Sequence, residues 1–192
     1  MSIKLPLFSV LGVIAVTGGY FISKSFSHKT IKDRLSNSLM SVSEDVSKWE
    51  DRLSRLKGAQ GDSLVDDLRE IKNSDPTSQK LKDWCVTNVE SPFKDGKLLL
   101  NVKSYCTYMV RDKLSRTPRP ESDGNWEHAA TKLIRPDVVL SNVMKDIKAR
   151  IHNTSNPTNF DALKSWCKEI LDAMYENDSN FKDADSYCTN KD

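Results

Sequence analysis

Four cysteines are the residues of this 192-residue chain whose type and spacing bear most directly on chemistry. Cys85 and Cys106 lie 21 residues apart, and Cys167 and Cys188 repeat that interval. Each first cysteine follows a tryptophan, in LKDWC (81–85) and LKSWC (163–167), and each second one stands in the tetrapeptide SYCT (104–107, 186–189). A zinc site would want ligand pairs two to four residues apart, supplemented by histidines. Here the pairs are widely spaced, and His28, His128 and His152 are not repeated between the two halves. A redox C-x-x-C is also absent. The remaining uses are a disulfide framework or, in a reducing cytosol, small buried apolar side chains.

No other constellation competes with the cysteines. The chain lacks the glycine-rich phosphate loops, the nucleophile elbow and the H-E-x-x-H zinc helix. Asp66-Asp67 and Asp183 with Asp185 fall in polar stretches where carboxylates face water, and DADSYC has neither the glycine nor the distant glutamate of a calcium loop. We therefore expect no catalytic residues, no metal and no cofactor, hence no enzyme.

The cysteine pairs belong to a longer series. IKDRLS (31–36) returns as VRDKLS (110–115) with every charge sign kept, Trp49-Glu50 returns as Trp126-Glu127, and IKNSDPT (71–77) returns as IHNTSNPT (151–158). Landmarks in one order read as an internal duplication with a period near 80, better described as tandem domains than as a solenoid. Four cysteines permit three pairings. Only Cys85–Cys106 with Cys167–Cys188 could already have existed in one ancestral module. A loop of that length should contribute about 3 kcal/mol on a chain-entropy estimate, a large share of the ~5 kcal/mol expected of a small module.

The expected fold is all-α: an N-terminal apolar helix over 1–27, then two helical-bundle modules over 28–108 and 109–192. Leu35, Leu39, Val42, Val46, Trp49, Leu53 and Leu56 step by fours and threes, which predicts one long helix carrying a heptad seam. That seam either covers its own module or, over 31–56, joins two chains as a homodimer. KGAQGD (57–62) ends it, and a short helix follows through Leu64, Leu68 and Ile71. Asp75 is placed to cap the next helix and Pro76 to open it. On that helix Leu81, Trp84 and Cys85 share a face, and Leu163, Trp166, Cys167, Ile170, Leu171 and Met174 extend the same face in the second copy. A last helix is expected from Leu98 to Val110. In the second module SRTPRPESDGN (115–125) interrupts the first helix, and a helical pattern resumes between Asp137 and Arg150. Trp49, Trp84, Trp126 and Trp166 are the expected core framework around the sulfur pairs.

Between Lys4 and Lys24 the chain is uncharged and almost wholly apolar, long enough to cross a bilayer as a helix of roughly 20 residues. Residues 5–23 are read as an uncleaved membrane anchor, with a cleaved secretory signal as the competing reading. The 29 Lys plus Arg against 27 Asp plus Glu give +2 with no clustered basic run, so nucleic acid is not an expected partner. An apolar leader followed by two consistent sulfur pairs places the C-terminal region outside the cytoplasm.

The doubled framework behind an apolar N-terminus resembles the large paralogous families of uncharacterised proteins of haemotropic mycoplasmas. Leu81, Lys82, Trp84, Cys85, Phe93, Ser104, Tyr105 and Cys106 carry the resemblance, with Leu163, Lys164, Trp166, Cys167, Ser186, Tyr187 and Cys188 in the second copy. It covers essentially the whole chain and carries no catalytic assignment. Tyr175 stands where the first module has Phe93. The resemblance implies a membrane-anchored or secreted product of a wall-less bacterium, with a part in surface variation or contact with a host protein.

Overall fold

The computed structural model describes residues 29–122, 126–152 and 160–190, and every regular element among them is helical. The first half holds α1 (Ile31–Leu35), α2 (Val46–Gly58), α3 (Asp66–Ser74), α4 (Ser78–Asn88) and α5 (Lys97–Tyr105). The second holds α6 (Trp126–Ile134), α7 (Asn142–His152), α8 (Asp161–Leu171) and α9 (Ser179–Tyr187). Single turns of 3-10 helix lie at Gly61–Ser63 and Val110–Asp112.

Local chemistry sets these bounds. The Asp45 carboxylate caps α2, accepting the Ser47 N–H at 2.7 Å, and the helix turns Trp49, Leu53 and Leu56 inward at spacings of four and three. Thr77 caps α4 through the Lys80 N–H at 3.2 Å. Asp75, expected in that role, instead closes α3 in a non-helical conformation and holds the Lys80 ammonium. Asn156, at the matching place in the second copy, lies outside the described residues. Helix α5 starts after Gly96, whose φ of 149° suits glycine. At the equivalent place in α9, Asp178 caps the Phe181 N–H at 2.9 Å.

Two cores form. Trp49, Leu53, Leu56, Leu64, Leu68, Leu81, Trp84, Leu99 and Val102 pack with Cys85 and Cys106 in the first. Trp126, Leu133, Met144, Ile147, Leu163, Leu171, Ala184 and Tyr187 pack with Cys167 and Cys188 in the second.

The same set of isolated backbone pairings recurs in each half. Leu39 pairs antiparallel with Thr107, and Pro118 with Thr189; Thr30 pairs with Pro92, and Met109 with Met174. The Met40 N–H donates to Cys106 O as the Arg119 N–H donates to Cys188 O. Tyr108 N–H to Ser38 O is matched by Asn190 N–H to Thr117 O. In this way the segment following each α1-like turn is laid against the residues following its second cysteine.

Those pairings overturn the expected long helix. Residues 38–40 must be extended to reach Cys106 and Tyr108, so no continuous helix runs from 31 to 56. Serine side chains help to end it, Ser41 accepting the Ser43 N–H at 3.2 Å. Of the seam, Leu35, Trp49, Leu53 and Leu56 are buried in their own module, whereas Val42 and Val46 face solvent. Both halves are therefore broken at the same place, and the interruption seen over 115–122 is not a peculiarity of the second. Two further ends move inward: α5 stops at Tyr105 because Thr107 enters the pairing with Leu39, and α8 stops at Leu171 because Met174 pairs with Met109.

The halves meet directly. Tyr108 donates its N–H to Ser38 O and accepts from the Tyr175 N–H through its carbonyl, at 2.7 and 2.8 Å. Met174 and Tyr175 pack on the first core. Arg52 of α2 is 0% exposed, a rare place for a guanidinium. It donates through Nε to Thr107 O at 3.1 Å and pairs with Asp51 and with Asp112 of the second half. Asp172 joins Arg55 to Arg111 at the edge of the same junction.

Candidate functional site

The sulfur pairs are where the chemistry-bearing residues lead. Cys85 is bonded to Cys106 and Cys167 to Cys188, each with Cα atoms 5.5 Å apart. Among the described residues no cysteine is free, and no group of His, Cys, Asp and Glu could hold a metal. Both bonds are buried, so they hold structure rather than offer a reactive sulfur. Cys85 tethers α4 to the end of α5, and Cys167 tethers α8 to the end of α9.

Of the framework tryptophans, Trp49, Trp84 and Trp126 are buried as expected. Trp166 is not. It is half-buried and lines an open cleft of about 450 Å³ with Val143, Ile147, Asp146 and Arg150, because charged side chains of α7 form the rim on that side.

Over each disulfide lies a cleft, and the two clefts are built from matching positions. The first, of about 360 Å³, is lined by Lys32, Leu39, Met40, Val42, Trp49, Cys85, Val86, Val89 and Glu90. The second, of about 280 Å³, has Arg111, Pro118, Arg119, Glu121, Trp126, Cys167, Lys168, Leu171 and Asp172 in the corresponding places. The aromatic floor, the first cysteine of the sulfur pair and a rim ion pair are common to both. Lys32 and Glu90 meet at 2.6 Å on the first rim, and Arg111 meets Asp172 on the second. The carboxylate of Glu90, through its hydrogen bond and its charge, raises the pKa of the Lys32 ammonium.

The walls differ. In the first cleft Leu39, Met40, Val42, Val86 and Val89 make an apolar lining. In the second, Met40 is replaced by Arg119, Val42 by Glu121 and Val86 by Lys168. Glu121 and Lys168 pair across the mouth at 2.9 Å, which raises the lysine's pKa. Arg119 lies over Trp126, 5.7 Å from the ring centroid, and donates to Thr189 O at 3.0 Å. Trp126 in turn donates its Nε1–H to Pro120 O at 3.0 Å. Each cleft thus keeps the scaffold and changes the chemistry it presents.

A second polar cluster stands on the first module. Glu44 accepts from Lys48 at 2.6 Å and from the Tyr108 hydroxyl, which together hold its carboxyl down at about 2. Burial pushes the Tyr108 phenol up, and the Lys113 ammonium sits 3.3 Å from its ring centroid. This ties the start of α2 to the junction.

Sequence reasoning missed the clefts and the Arg52–Asp112 pair. Aligning the halves sets Val86 against Lys168, two residues after each tryptophan, which is a readable signal. That residues 39–42 lie across from 85–90 is tertiary information and has no local signature.

Among the described residues no helix is long and apolar enough to cross a membrane. The proposed anchor, residues 5–23, lies outside them. Comparison with known proteins gives no match to a family model, a curated protein or a solved structure.

Proposed function

We propose that this chain is a membrane-anchored, extracytoplasmic recognition protein without enzymatic activity. Residues 5–23 hold it in the bilayer, and two disulfide-stapled modules, copies of one ancestral unit, display clefts of different character to a surface or host protein. The observation that carries this reading is the pair of matching clefts, with one aromatic and sulfur floor beneath an apolar wall in one module and a charged wall in the other. An enzyme duplicated for catalysis would keep its reacting groups; here the framework is kept and the presented groups change. Variation on a fixed frame is what recognition of different partners requires.

The paired backbone hydrogen bonds of the two halves support the common ancestry, since eight residues at corresponding positions make four matched pairings. Two buried disulfides support an oxidising compartment, because thiols of cytosolic proteins are kept reduced. Protease treatment of intact cells tests the proposal. The modules are digested from outside, leaving a membrane-held fragment; complete protection, or free thiols in protein trapped directly from cells, would defeat it.

A further inference from the structure

We infer that the first module rests on the phospholipid surface through the cleft over Cys85–Cys106, an inference that depends on residues 5–23 being a bilayer anchor. The six large apolar side chains most exposed among the described residues include Val42 at 56%, Val46 at 60% and Val86 at 48%. Val42 and Val86 line this cleft, and Val46 stands four residues beyond Val42 at the start of α2. Two of the six therefore line one mouth and a third follows one helical step along the same segment, a grouping that marks a contact surface.

The length of chain before the module names the contact. Only residues 24–30 separate the apolar stretch from Ile31, and fully extended they span about 25 Å. Lys32, the second residue of α1, is already a rim residue of the cleft. The cleft therefore lies within reach of the membrane surface at which the anchor ends. The valines then sit at the boundary between headgroups and acyl chains, as the apolar face of an interfacial element does.

The second module supplies an internal comparison. It is farther along the chain, and at the positions of Val42 and Val86 it carries Glu121 and Lys168, paired with each other and open to water. The framework accepts either pair. Apolar residues appear in the module next to the anchor and charged ones in the module beyond it.

The test uses the full chain reconstituted into phosphatidylcholine vesicles, with or without bromine on the acyl chains. Val42→Trp is compared with Val139→Trp, a fully exposed position in the second module, after subtracting the emission of the parent protein. The expected result is loss of most of the added emission at 42 in brominated vesicles and its retention at 139. Replacing Val42 by Glu and Val86 by Lys reproduces the Glu121–Lys168 pair on the same frame, so the variant keeps its fold and both disulfides. That variant should abolish quenching of a Val46→Trp reporter. Equal quenching at 42 and 139 overturns the proposal. So does emission at 42 that is shielded from aqueous iodide yet untouched by bromine, which would mean that a second copy or another protein covers the cleft. Extraction at alkaline pH separates the two ideas: a chain that washes off the vesicles defeats the anchor and this inference together, while a retained chain with unquenched 42 defeats this inference alone.

Discussion

Replacing Arg52 by Met should uncouple the two modules. The guanidinium is wholly buried between α2 and the Val110–Asp112 turn, and its partner Asp112 is only 10% exposed. Met preserves most of the aliphatic volume but leaves Thr107 O without its donor and Asp112 with a single hydrogen bond, from the Met109 N–H at 2.8 Å. Removing one member of a buried ion pair costs about 3–5 kcal/mol, mostly through the stranded partner. Asp112→Asn leaves Arg52 its Asp51 and Thr107 partners and should cost less than Arg52→Met. The double variant Arg52→Met with Asp112→Leu removes both charges and should recover much of the loss. Urea unfolding read by two probes tests this, one variant keeping Trp49 and Trp84 and another keeping Trp126 and Trp166. The parent should unfold in one coincident transition; Arg52→Met should separate the two probes, with the first module melting earlier. A shift below about 1 kcal/mol with coincident transitions would refute the argument that this pair holds the halves together.

Other consequences can be measured on the same protein. Replacing Cys85 and Cys106 by Ala opens a loop of 21 residues and should cost about 3 kcal/mol, with the same figure for Cys167 and Cys188; non-reducing peptide mapping should find only those two pairings. Glu44 has its folded pKa lowered from 4.5 to about 2, so its contribution is complete above pH 4.5 and is lost as the pH falls towards 2; Glu44→Gln should flatten the acid limb of stability across that window. Trp126→Phe should cost about 1 kcal/mol more than Trp49→Phe in chemical denaturation, because only Trp126 gives up an indole hydrogen bond made to a described residue.

The all-helical class and the sulfur pairing were legible because each rests on local or repeated information. Helix faces announce themselves at spacings of three and four, as in Leu81, Trp84 and Cys85, and one interval of 21 residues written twice singles out one pairing. The break at 36–45 was not legible, since Leu39 and Val42 keep the heptad rhythm straight through it. What stops the helix is the demand of Cys106 and Tyr108 for extended partners, which lies more than sixty residues away. The same limit hid Arg52. A charged residue on an amphipathic helix reads as solvent-facing until the Val110–Asp112 turn is seen to close over it. Asp75 illustrates the finer failure: two capping residues stood two positions apart, and the helix began after the threonine.

Tyr108 gives its amide to one module and its carbonyl to the other. There is no slack between the halves for a swivel. A pull applied to the second half would pass through this one residue into Ser38, beside the Arg52–Asp112 and Arg55–Asp172 pairs that cross the same junction. Lengthening the chain by even one residue beside Tyr108 would force a choice between the two bonds, turning a stiff strut into a jointed one.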